Sequence, residues 1–184
     1  QQRPFFMYWA TGAAHAPHHA PPEWIARYKG RFDQGWDKVR EQILQRQIAR
    51  GMLPRGTRLA PLPEGMPRWD SLGASEKALY ARQMEAFAAA LSYADAQFGR
   101  ILDALQASGE LDNTLVLVTS DNGASAEGGP TGLYNEASVT GRRAPTVAEN
   151  AAFLDRWGGP ETYPHYAYGW AVAGDTPFRY FKQT

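Results

Sequence analysis

The order of apolar and polar positions divides the chain into blocks of different period. Across residues 75–108, Tyr80, Met84, Phe87, Leu91, Ala94, Phe98, Ile101 and Leu105 recur every three or four positions, which is the spacing of one continuous helix face. Ser75 is placed to cap this helix and Gly109 to end it. Residues 114–120, TLVLVTS, are too continuously apolar for a half-exposed strand and too short for a helix, so they predict a strand buried on both faces. Residues 4–10, PFFMYWA, predict a second buried strand, aromatic-rich and bounded by Pro and Gly. Pro17, Pro21 and Pro22 forbid regular structure after it. Residues 23–51 read as helical, with Trp36, Val39, Ile43, Leu44 and Ile48 as the apolar stripe, and 52–73, with prolines at 54, 61, 63 and 67, read as a long ordered surface connection. Helix, the tight turn ELDN and a fully buried strand together predict an α/β sandwich with parallel pairing in its sheet. Beyond Asp121 the chain becomes rich in Gly, Pro and aromatic residues, which predicts a loop-rich excursion at about 124–180 above the sheet edge.

Composition narrows the function. At 184 residues the chain suits one domain. Lys plus Arg and Asp plus Glu are equal at 19 each, so no net field draws it to nucleic acid or to an anionic membrane, and neither is expected as a partner. The absence of Cys excludes disulfides, thiolate metal sites and a cysteine nucleophile within these residues. No apolar run reaches the roughly 20 residues of a membrane span. The opening QQRPFFMYWATG lacks the basic, apolar and small-residue layout of a signal peptide, and the compartment is left open.

The candidate chemistry gathers at predicted strand ends. Asp121 and Asn122 follow the 114–120 strand at its carboxyl end, where open α/β sheets bind ligands, and both offer the hard oxygens that suit Ca²⁺ or Mg²⁺. Asp-Asn-Gly alone equally describes a turn bonded to its own amides. The buried strand before it and the small, Gly-rich ASAEGG after it favour a ligand site, whose cation shell other segments must complete. His15, just past the first strand, is placed as a general acid. His18 and His19 read as partly exposed loop residues. Near the end, Lys182 suits an anionic oxygen and Arg179 a bidentate oxyanion contact, although a single Lys is by default a solvated surface group. Trp9, Tyr134, Tyr166, Tyr168 and Trp170 are of the type that lines an aryl pocket, yet such residues are more often core.

Three ordered blocks then carry a resemblance: FFMYWATGAAHAPHHAPPEW, YADAQFGRILDALQASGELDNTLVLVTSDNGASAEGGPTGLYNE and HYAYGWAVAGDTPFRYFKQT. Together they resemble the formylglycine-dependent sulfatases, in the bacterial arylsulfatase branch of the alkaline-phosphatase-like superfamily. The resemblance implies a central mixed, mainly parallel sheet flanked by helices, and hydrolysis of small-molecule sulfate monoesters. It implies a divalent cation, usually Ca²⁺, and a formylglycine nucleophile made from the Cys or Ser of a Cys/Ser-x-Pro-x-Arg motif. Carried over by position, it makes Asp121 and Asn122 metal ligands. His15, in AAHAP, becomes the sulfate contact that protonates the leaving oxygen, and Lys182 a contact to the sulfate and the bridging oxygen.

The chain departs from that pattern where the nucleophile belongs. It has no Cys, no Ser that begins an x-Pro-x-Arg motif, no paired Asp of the first family strand, and no Lys and His of the segment before HAPHH. Residues 1–184 are therefore expected to be an interior segment of a single sulfatase catalytic domain, inactive alone. Two alternatives stand beside this reading: a phosphonate monoester or phosphodiester hydrolase of the same superfamily, and a non-catalytic truncated product.

Overall fold

The structure of the chain, a computed structural model, describes residues 3–136 and 143–182. The order of elements is α1 (Pro22–Ala26), α2 (Gly35–Ala49), a 3₁₀ turn (Trp69–Ser71), α3 (Ala74–Ala107), a second 3₁₀ turn (Leu111–Asn113), α4 (Val147–Ala151), a third 3₁₀ turn (Leu154–Arg156) and α5 (Tyr168–Gly174). Helix α1 packs on α3 and α2 packs on α5. No helix among the described residues is long and apolar enough to cross a membrane.

The 75–108 expectation holds to within a residue at each end. Its cap differs: the helix starts at Ala74, so Gly73 rather than Ser75 is the N-cap, and Glu76 reaches back to accept the Gly73 N–H at 2.8 Å. Gly109 ends it as expected, with φ of +74° and the Glu110 N–H bonded to the Leu105 carbonyl. Burial is uneven. Leu79, Tyr80, Ala86 and Ala89 are enclosed, whereas Leu91 is 48% exposed and the last turns are only partly covered. The expected helix over 23–51 is interrupted by a turn through 27–34, where Glu85 of α3 accepts the Gly30 N–H at 2.7 Å.

The core is aromatic. Trp170 of α5 meets Trp36 of α2 and Trp69 with ring centroids 5.7 Å from each, and Trp36 meets Trp69 edge-on at 4.9 Å. Buried indoles need a partner for the ring N–H. Trp36 donates to the Pro67 carbonyl, Trp69 to that of Asp33, and Trp170 to that of Tyr80. Gly35 makes this packing possible: its φ is +78°, and a Cβ there would stand 2.0 Å from the Trp69 ring. Buried Arg40 fastens the 52–73 connection by donating to the Ala60 carbonyl at 3.0 Å.

The sheet expectation meets a different result. Among the described residues there are only two isolated bridges, Leu133 with His165 and Asn135 with Tyr163. Residues 4–10 and 114–120 belong to no ladder, and their burial is not observed: Phe6 is 92% exposed, Leu115 85% and Val118 81%. A two-sided apolar strand is buried by its neighbours, and the described residues supply none. Among the described residues the first segment is covered by α3, where Trp9 stacks on Phe98 at 5.5 Å. The burial lies instead in the stretch expected to be an excursion, where Trp157, Tyr166, Trp170 and Val172 are all enclosed.

Candidate active site

Residues 121–135 run without a β-ladder, so their backbone polar groups need other partners. Two buried carboxamides provide them. Gln83 of α3 donates to the Thr131 carbonyl at 2.8 Å and accepts the Ala167 N–H at 2.8 Å. Asn150 of α4 accepts the Tyr134 N–H at 2.9 Å and donates to the Gly132 carbonyl at 2.9 Å. Farther along, Asp175 accepts the Ala124 N–H at 2.9 Å, and the Lys182 N–H donates to the Ala124 carbonyl at 2.9 Å. The histidine-bearing first loop docks on the same region, with the His18 N–H on the Pro164 carbonyl and the Ala20 N–H on that of Gly158. The start, middle and end of the sequence are thereby held together.

These tethers bring two of the four sequence-derived site residues onto one carboxylate. Glu127 places Oε1 3.3 Å from Lys182 Nζ and Oε2 3.5 Å from His15 Nε2. The Lys182 side chain is only 11% exposed, so the solvated-surface default for a lone Lys does not describe it. His15 is exposed, and its Nδ1 lies 2.9 Å from its neighbour's carbonyl at Ala16. Glu127 is itself anchored by Ser125, whose hydroxyl donates to Oε2 at 2.8 Å. That bond, helped by Lys182 and His15 against the opposing effect of burial, holds the Glu127 carboxyl below its usual range. Glu136 stands nearby with its carboxyl pushed up, first by burial and then by the Glu127 charge.

Behind Ser125 lies a buried histidine pair. His165 Nε2 is 3.0 Å from Ser125 Oγ, and the His18 ring lies 5.0 Å from that of His165. Burial depresses both, His165 to about 4. His18 is 1% exposed, packed against Phe87 and Tyr166, which corrects its reading as a partly exposed loop residue; His19 is exposed as expected. Gly128 lets the loop approach this pair, since a Cβ there would stand 2.0 Å from the Tyr166 carbonyl oxygen and 2.7 Å from His165 Nδ1. A cleft of about 350 Å³ opens beside Lys182, lined by Ala126, Glu127, Gly129, Pro130, Tyr168 and Phe181.

Asp121 and Asn122 are exposed at the end of the extended 114–120 segment. The Ser120 hydroxyl donates to the Asn122 backbone carbonyl at 2.8 Å. Their oxygens suit a hard cation, yet among the described residues no three His, Asp or Glu side chains converge as a cage. No hydrogen bond or ion pair of the described residues joins them to His15 or Lys182. Arg179 is exposed, its guanidinium 5.2 Å over the Tyr180 ring. Of the aromatic residues considered for a pocket, Tyr166 and Trp170 are core, Tyr168 lines the cleft, and Trp9 lies against α3.

Comparison with known proteins places the chain in a family. The family model for sulfatases matches residues 1–154, and the chain belongs to the sulfatase family. It is 36% identical to an uncharacterized sulfatase of Schizosaccharomyces pombe, over 97% of this chain and 31% of that protein. It is 30% identical to an arylsulfatase of Klebsiella aerogenes, over the whole chain and 38% of the relative. A sulfatase of Formosa agariphila is 26% identical over 66% of this chain and 22% of its own length. The chain thus spans about a third of the first two relatives.

Proposed function

We propose that this chain supplies half of the active site of a sulfuric ester hydrolase, as a segment of one catalytic domain with an alkaline-phosphatase-like α/β sandwich. The observation that carries the reading is the meeting of His15 and Lys182, from opposite ends of the sequence, on the single Glu127 carboxylate. A sulfate ester needs a cationic contact for its anionic oxygens and a proton for the departing one. Lys182, mostly enclosed, provides the first and offsets charge as it shifts toward the leaving oxygen. His15, exposed beside it, provides the second by donating the Nε2 proton to the bridging oxygen as the S–O bond breaks.

Asp121 and Asn122 are the residues of this chain that would hold a Ca²⁺ or another divalent cation, with further ligands from outside it. When bound, such an ion lowers the cost of gathering negative charge at the sulfate group. The nucleophile, a formylglycine on this reading, belongs to sequence beyond these residues, which contain neither Cys nor the Ser motif.

The test is turnover of p-nitrophenyl sulfate by the complete protein, with bis(p-nitrophenyl) phosphate as the competing substrate. We expect sulfate ester hydrolysis that falls about 10²- to 10⁴-fold in His15→Ala and about 10²- to 10³-fold in Lys182→Ala. Preferential turnover of the phosphodiester would move the assignment to phosphodiester hydrolysis, and activity indifferent to both substitutions would refute the site.

A further inference from the structure

We propose that Glu127 is the positioning residue of this site: its carboxylate holds the His15 imidazole and the Lys182 ammonium as a pair before substrate arrives. The inference rests on the hydrolase reading and deepens it. Each contact is set by hydrogen-bonding capacity. Lys182 Nζ has three protons, so one directed at Glu127 Oε1, 3.3 Å away, leaves two for the oxygens of an anionic substrate. His15 stands between two acceptors, the Ala16 carbonyl at Nδ1 and Glu127 Oε2 at Nε2. Glu127 Oε2 forms an ion pair with the protonated ring, the form a general acid must start in.

The carboxylate is built in from behind. Ser125 is 9% exposed; its hydroxyl donates to Glu127 Oε2, and the same oxygen takes the Glu127 N–H at 3.3 Å. Fully buried His165 backs this hydroxyl, its Nε2 3.0 Å from Ser125 Oγ and its Nδ1 3.2 Å from the Tyr166 carbonyl. Among the described residues, five titratable groups face Glu127 from the packed segments: His15, Lys182, Glu136, His165 and Tyr166. Only the first two are in ion-pair range, and they are the two that the reaction uses.

The experiment uses the complete, matured enzyme and p-nitrophenyl sulfate. Glu127→Gln preserves an acceptor for Ser125 but removes the charge that pairs His15 with Lys182. Positioning predicts a kcat loss of about 10- to 100-fold, with KM and the inhibition constant for free sulfate unchanged or lower, because a negative charge has left an anion site. Glu127→Asp, one methylene short but charged, should recover part of kcat. Ser125→Ala keeps the carboxylate and loosens it, and should cost less than Glu127→Gln. A folded Glu127→Gln enzyme with wild-type kcat overturns the proposal, as does a parallel rise in KM and fall in kcat that Asp does not relieve. If His15→Ala abolishes turnover while Glu127→Gln does not, only the role of Glu127 fails; a wild-type enzyme inert toward sulfate esters sinks both readings.

Discussion

Replacing Gln83 by Leu should destabilise the protein out of proportion to the size of the change. Gln and Leu have nearly equal helix propensity, so α3 itself is not weakened. The loss falls on the backbone groups that Gln83 serves. The Thr131 carbonyl keeps a second donor, Asn150 Nδ2 at 3.2 Å, and forfeits one ordinary hydrogen bond. The Ala167 N–H, in a residue that is 0% exposed, is left with no acceptor. An orphaned buried donor costs about 1–3 kcal/mol and a lost neutral bond about 0.5–1.5 kcal/mol, so the sum is about 2–4 kcal/mol. Urea unfolding followed by tryptophan fluorescence reads it, with exposed Gln106→Leu on the same helix as a control expected within about 0.5 kcal/mol of wild type. A Gln83→Leu midpoint indistinguishable from that control would refute the argument that the buried carboxamide clamps the site loops.

Gly128→Ala should lower kcat by about 10- to 100-fold, because its Cβ, 2.0 Å from the Tyr166 carbonyl, pushes Glu127 away from its anchor; Gly12→Ala, with open space around it, is the control, and equal kinetics for the two would refute this. Stability should also fall as pH drops from about 6.5 toward 4. His165 titrates at about 4 in the fold against an ordinary 6.5, so between those values the unfolded chain binds more protons and the folded state loses ground, by roughly 3 kcal/mol once both values are passed. Buried His18 is depressed in the same sense and adds to it. Urea midpoints that stay flat from pH 7 to 4 would count against neutral, buried rings at both positions.

What could be read in advance follows from which forces are local. The extent of α3, its glycine stop and the Trp36 stripe are written in the period of the chain, and the structure reproduces them, whereas the expected continuous α3 core face fails at exposed Leu91 and the partly covered last turns. Gln83 and Asn150 escape such reading, because a periodic scan counts apolar positions, and nothing in their neighbourhood announces that a distant loop will need two amide clamps. His18 escapes for a similar reason: its burial depends on Phe87, Tyr166 and His165, all remote in sequence. Lys182 and His15 stood out through family resemblance more than through their surroundings. Glu127 carried a faint signal, a Ser and a Glu two apart in an otherwise small-residue run, which reads as open space for a ligand until its partners are seen.

The charges around the cleft bear on what kind of ester this half-site suits. Lys182 contributes one positive charge. Glu127 is kept ionised by Ser125. Burial, and then the Glu127 charge, push the Glu136 carboxyl above its usual range. A sulfate monoester brings one negative charge, as a phosphodiester does, whereas a phosphate monoester brings nearly two at neutral pH. Burying a second, unmatched charge beside an enclosed lysine is costly. On the proposed hydrolase reading, one enclosed lysine offsets a singly charged ester better than a doubly charged one, and the choice between sulfate monoester and phosphodiester passes to shape: one carries a single organic substituent, the other two. The cleft beside Lys182, walled by Tyr168, Phe181 and Pro130, provides one apolar flank.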